Sequence, residues 1–149
     1  MLFRSVALVA LGGWWQEQGR VQRLRQLAWQ RAAAAPADWQ PLAAEVDPQV
    51  LVVVRQQLTR HLAHRCPDFP LQPADRLQAD LGIDEDTLVM ALGPQLAALA
   101  GRSMVAGPAM PWRGRVHTVA DLVRCLDAQP VVRSARVAAE VPDPALARS

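Results

Sequence analysis

Apolar residues recur at spacings of three and four in four separate stretches of the chain, which is the period of an amphipathic helix. Clusters of proline and glycine separate these stretches. The run 50–54 is β-prone by propensity, but its apolar stripe continues through Leu58 and Leu62 and therefore favours helix. The pattern predicts an all-α fold.

The first predicted helix covers residues 16–35, with Val21, Leu24 and Leu27 on one face and most of its arginines elsewhere. Pro36 ends it, because proline cannot continue a helix. A basic amphipathic helix can lie on a membrane, pack on a partner, or pack on its own domain. We expect the last of these three, which is the commonest.

The residues before this helix are apolar from Val6 to Leu11 and are followed by Trp14 and Trp15. The run resembles a weak signal-peptide core, but no small-residue cleavage site follows it. It is also shorter than the roughly 20 apolar residues of a spanning helix. We expect a helical turn that is buried or packed on a partner. A peripheral membrane contact through residues 1–31 is the alternative, because tryptophan favours membrane interfaces.

The other three predicted helices begin at recognisable start signals. Asp47 can cap a helix over 48–64, in which Pro48 suits the first turn. Asp84 can cap the next helix, and Thr118 with Asp121 has the spacing of a capping box for the last one. The buried stripe of the helix after Asp84 is predicted from spacings of four, four and three: Leu88, Leu92, Leu96 and Leu99. The pair Gly93-Pro94 inside this helix predicts a kink or a restart.

Proline-rich segments divide the chain into three parts. The segment 36–48 reads as a linker, and the long loop 66–83 carries Phe69, Leu71 and Leu77, which should hold it against the core. The last residues are rich in Ala, Pro and Arg and lack a stable apolar stripe. We predict an N-terminal helical extension and linker (1–45), a helical domain (46–129) and a partly disordered tail (130–149).

The formal net charge of +2 is too small to indicate a nucleic-acid-binding protein, which needs a concentrated basic face. All 16 basic residues are arginine, and residues 1–45 are more basic than the segment that follows. Cys66 and Cys125 form no disulfide framework, so we expect reduced thiols in a cytoplasmic protein, with a single bridge as the alternative.

Three pieces of the chain share an order and spacing with one known family. They are DLGID (80–84), LVMAL (88–92) and TVADLVRCL (118–126). Together they resemble the acyl or peptidyl carrier domain, in which a helix, a long loop, a helix opening at an aspartate-serine motif, a short third helix and a fourth helix form a bundle. The resemblance implies an acyl-carrier-like four-helix bundle over about 46–129, with an additional N-terminal helical segment.

One position departs from the carrier motif. Glu85 stands where the family has the serine that receives 4′-phosphopantetheine, so the resemblance implies no phosphopantetheine and no other cofactor. Thr87 is the nearest hydroxyl, but it projects about 200° around the helix from position 85. The chain thus resembles the serine-less, carrier-like proteins of bacteria.

The resemblance also implies a site. Carrier domains present the acidic start of their second helix to basic patches on partner enzymes, and the corresponding residues here are Asp84, Glu85, Asp86 and Met90. We therefore expect a non-enzymatic module that binds a protein partner, linked to fatty-acid or polyketide metabolism. The alternatives are a working carrier modified at an unusual hydroxyl and a membrane-peripheral adaptor.

Other candidate chemistry is sparse. His61 and His64 share a helix face, with Cys66 nearby, but His117 is the only other histidine and no clear fourth ligand exists. We interpret the three as polar residues at a helix end and predict no metal site. Cys125 reads as a small core residue. The serines lie in no nucleophile motif, and no catalytic set is predicted.

Overall fold

The computed structural model of the chain describes residues 3–103 and 113–132, with side chains from residue 12 onward. Within these ranges the chain forms helices joined by loops, and only isolated bridges pair Arg76 with Thr118 and Arg102 with Val131. The described part of the chain contains no strand, which confirms the all-α prediction there. The elements are α1 (Phe3–Ala32), α2 (Gln40–Glu45), α3 (Pro48–Leu62), α4 (Glu85–Thr87), a π-helical turn (Leu88–Leu92), α5 (Gly93–Ala100) and α6 (Val119–Asp127).

The predicted start signals are used as the sequence indicated. The Asp47 side chain accepts a hydrogen bond from the backbone N–H of Gln49, and Pro48 occupies the first turn of α3. At α6, Thr118 and Asp121 form both hydrogen bonds of a capping box. These caps satisfy backbone donors that a helix start would otherwise leave unpaired.

The core lies where α3 packs against α5 and α6. The long loop before α4 drapes over it, as its apolar residues predicted. The core side chains that are fully buried come from every one of these elements: Val50, Val54, Leu58, Leu62, Leu96, Val119, Leu122, Val123 and Leu126, with Phe69, Leu71 and Leu77 contributed by the loop.

The segment predicted to be a linker contains a helix. In α2, Pro41 lies in the first turn, where its missing N–H costs nothing, and Leu42 is buried in the core. Val46 follows at a spacing of four and is also buried. The interpretation of 36–48 as a linker was therefore wrong for these residues, because two apolar side chains attach the segment to the core.

Helix α1 packs on the rest of the described chain through one face. Leu24 is fully buried in the core, and Arg31 makes a bidentate ion pair with the buried Asp75. Glu17 accepts a hydrogen bond of 2.7 Å from Nε of Arg65. Among the described helices, none is both long and apolar enough to cross a membrane. The predicted tail beyond residue 132 lies outside the described residues.

A π-helical turn changes which residues of the third predicted helix are buried. Leu88, Leu92 and Leu96 face the core as predicted, but Leu99 is 47% exposed and Ala100 is buried in its place. A π turn holds more residues than an α turn, so side chains spaced by four remain on one face. The turn ends beside Pro94, which lacks an N–H and crowds the preceding carbonyl. The interruption predicted at Gly93-Pro94 is therefore accommodated by a π-helical turn.

Candidate docking surface at the start of α4

The residues 80–84 form a tight turn that delivers the chain into α4. Leu81 and Ile83 are almost completely buried, so they fix the turn to the core. The backbone N–H of Ile83 donates to the carbonyl of Leu77 at 2.8 Å. Gly82, between Leu81 and Ile83, has φ +68°, a conformation that residues with a Cβ adopt only at a cost in free energy. The glycine of the motif therefore serves the geometry of the turn.

Replacement of Gly82 by alanine should lower the free energy of unfolding by about 1–2 kcal/mol, because the left-handed conformation is strained for an L-residue. Gly19, inside α1, is the matched control. A Cβ there meets open space, and alanine should stabilise the helix by up to about 1 kcal/mol. Urea unfolding of both variants measures the difference. Equal effects of the same sign would contradict this account of the turn.

Asp84 is the N-cap of α4. Its Oδ1 accepts a hydrogen bond of 2.7 Å from the backbone N–H of Thr87. This bond lowers the pKa of the Asp84 carboxyl, with smaller contributions from the Thr87 side chain and from the charge of Arg20. Asp84 is exposed, and its carboxylate is charged at neutral pH.

Three of the four sequence-predicted site residues lie at the start of α4, and Met90 lies in the π-helical turn that follows. Glu85, Asp86 and Met90 are exposed, as is Asp84, and 77% of the Met90 surface is accessible. Oε1 of Glu85 accepts a hydrogen bond of 3.1 Å from the backbone N–H of Gly114. We call these four residues the acidic surface. Their part in binding a partner stays a prediction.

Sequence reasoning missed the arginines that α1 places beside the turn. The Cδ of Arg20 lies 3.5 Å from where a Cβ of Gly82 would stand. Partial burial raises the pKa of Asp80, but hydrogen bonds from Arg76 and the charges of Arg76 and Arg23 outweigh it, so that the pKa is lowered. A cleft of about 440 Å³ separates α1 from the turn. Residues about 60 positions apart meet here, and no local pattern signals such a contact.

A second cleft, of about 280 Å³, is lined by Glu85. Its apolar floor includes Leu77, Ile83 and Leu88, and Arg76 and His117 contribute its polar groups. A hydrogen bond joins two of the segments that line the cleft: the backbone N–H of Leu77 donates to the carbonyl of His117 at 2.9 Å. The titratable side chains that line it are Arg76, Glu85 and His117.

His61, His64 and Cys66 lie near the end of α3. The rings of His61 and His64 meet edge to face with centroids 6.0 Å apart, and Cys66 is buried. Burial, with the charges of Arg65 and His64, lowers the pKa of His61. No group of three metal-binding side chains converges among the described residues. Neither Cys66 nor Cys125 forms a disulfide, and burial raises the pKa of the half-buried Cys125 thiol.

The hydroxyl nearest to position 85 belongs to Thr87, which is half-buried and interacts with the carboxylate that caps the helix. The Glu85 carboxylate instead accepts a hydrogen bond from the backbone N–H of Gly114. The structure thus places a carboxylate, not a hydroxyl, at the exposed helix start.

Comparison with known proteins gives no match to a family model. No curated protein and no solved structure is significantly similar to the chain. The resemblance to carrier domains therefore rests on the three sequence pieces and their order.

Proposed function

We propose that this protein is a non-enzymatic interaction module: a carrier-like helical bundle without a prosthetic group that docks its acidic surface onto a basic patch of a protein partner. The observation that supports this most is the exposure of three adjacent carboxylates and Met90 at a helix start that capping and buried anchors hold in place. Prearranged charges of this kind favour specific protein association.

The helix order supports the carrier-like part of the proposal. Helix α3, the long loop, the helical run that starts at Glu85, and α6 follow the order of the carrier family, and DLGID lies at the turn into that run. One part of the family pattern is not seen: the described residues between α5 and α6 contain no short third helix. The link to fatty-acid or polyketide metabolism comes from the resemblance alone.

The chemistry of position 85 separates a docking module from a carrier. A carboxylate cannot form the phosphodiester that attaches phosphopantetheine to a serine, but it is favoured at a helix N-terminus by the helix dipole. Its hydrogen bond to Gly114 limits its freedom, so less side-chain entropy is lost when a partner binds. The charge that replaces the hydroxyl therefore suits binding and not acyl transfer.

Charge reversal tests the proposal. Glu85→Arg with Asp86→Arg should abolish the co-purification of stoichiometric partners from the native cell, since each lost attraction becomes a repulsion. The control is Glu45→Arg with Asp68→Arg, which changes the net charge equally at exposed acids outside the acidic surface. Retention of every partner by the first variant would contradict the proposal, as would an equal loss from both.

A further inference from the structure

The outward side of α1 exposes three of the five tryptophans of the chain. Trp14, Trp15 and Trp29 are 57%, 68% and 81% exposed. Exposure of so much indole on a single helix is unusual, because tryptophan is normally well buried. The three residues form a coherent surface, which we call the tryptophan stripe.

Helix geometry aligns the stripe. At about 100° per residue, Trp15 and Trp29 lie about 40° apart around the helix, and Trp14 falls within about 100° of Trp15. Arg25 lies inside the same arc. With a rise of 1.5 Å per residue, the stripe is about 22 Å long. It is therefore continuous along the outer side of the helix and carries one positive charge.

The opposite side of α1 is already occupied. Leu24 is buried in the core, Glu17 binds Arg65, and Arg31 binds Asp75. These contacts fix the rotation of the helix about its axis. The stripe accordingly faces away from the core, and no described residue covers it.

The charge of the helix indicates what the stripe can approach. Residues Phe3–Ala32 contain five arginines against Glu17 alone, a formal charge of +4. Within it, the Arg31 charge is paired with Asp75 and the Glu17 charge with Arg65. The rest of the chain carries eleven arginines against thirteen acids, a charge of −2. A basic helix with outward indoles complements an anionic lipid surface, where indole favours the headgroup region.

The polar residues of the stripe indicate that it binds a lipid surface and not a second copy of the chain. A helix-pairing seam needs apolar side chains every three or four residues. Between Trp15 and Trp29, however, the outward positions hold Gln18, Gln22 and Arg25. Such a mixture suits the headgroup layer, in which amide and guanidinium groups remain hydrated while indoles insert.

We propose that α1 lies flat on an anionic membrane surface through Trp14, Trp15, Trp29 and Arg25, with its inner face bound to the helical core. This binding uses a different surface from the proposed docking to a protein partner. The protein would then hold its acidic surface close to the membrane, where it could meet membrane-bound protein partners.

Co-sedimentation with vesicles tests this proposal. The full chain should bind vesicles of 7:3 phosphatidylcholine and phosphatidylglycerol, bind pure phosphatidylcholine more weakly, and dissociate as salt is raised. Trp15→Gln with Trp29→Gln should weaken binding to the anionic vesicles at least about tenfold, because buried apolar area is lost. Val52→Gln with Val131→Gln, at two exposed apolar positions outside α1 and outside the acidic surface, should change it less than about twofold.

Three outcomes would overturn the proposal. One is failure of the full chain to bind anionic vesicles at low salt. Another is equal binding by the tryptophan variant and the wild type. The third is a concentration-dependent dimer that the tryptophan substitutions dissociate in the absence of vesicle binding, because the stripe would then pair two copies. None of these outcomes depends on the charge-reversal variants at the acidic surface.

Discussion

Replacement of Asp75 by alanine is expected to lower the free energy of unfolding by about 3 kcal/mol. Asp75 is only 2% exposed, and its carboxylate receives a bidentate ion pair from Arg31 and a hydrogen bond of 2.8 Å from the backbone N–H of Gln72. Removal of one member of a buried pair leaves the other charge without compensation. Arg31 also donates to the carbonyl of Pro70 at 2.9 Å, so the variant disturbs the attachment of α1 to the long loop.

A surface ion pair provides the control for this prediction. Arg124 and Glu45 are joined at 3.0 Å, but both side chains are about half exposed. Glu45→Ala should cost less than about 1 kcal/mol, because solvent screens exposed pairs. Urea unfolding at neutral pH compares the two variants. Similar losses in both would mean that the Arg31–Asp75 pair contributes no more than a surface pair and that other contacts hold α1.

Leu96→Ala is expected to lower the free energy of unfolding by about 3 kcal/mol, within the range for a fully buried leucine. Leu99→Ala should cost less than about 0.5 kcal/mol, because Leu99 is half exposed after the π-helical turn. The two residues are three positions apart in one helix and undergo the same chemical change. Their difference therefore reports the orientation of the helix beyond the turn.

The same unfolding measurements decide this prediction. A cost for Leu99→Ala close to that for Leu96→Ala would place both leucines in the core. The helix would then follow the regular spacing of four, four and three that the sequence pattern predicts, without a π-helical turn. Such a result would contradict the burial of Ala100 as well.

Local signals in the sequence predicted the helices well. Asp47, Asp84 and Thr118 begin helices because each side chain can accept the backbone hydrogen bonds that a helix start leaves unpaired. The π-helical turn was not predicted, since only a kink or restart follows from Gly93-Pro94. Helix α2 was missed because three prolines outweighed the apolar spacing of Leu42 and Val46.

The acidic surface could be predicted because its members are almost contiguous in sequence: three lie at the start of α4, and Met90 lies in the π-helical turn that follows. The long-range contacts that support this surface could not be predicted. The Gly114 amide that binds Glu85 lies 29 residues away, and Arg20 approaches Gly82 from a different helix. Long-range pairs of this kind depend on packing, and charged residues are too common on surfaces for their pairing to be deduced from one chain.

The most direct test of a carrier-like module without carrier chemistry is the intact mass of the full protein purified from its native cell, and again after co-expression with a phosphopantetheinyl transferase. We predict the mass of the unmodified chain in both samples, because Glu85 offers no hydroxyl and Thr87 lies half-buried beside the Asp84 carboxylate. A gain of one phosphopantetheine in either sample would contradict the account and identify a working carrier.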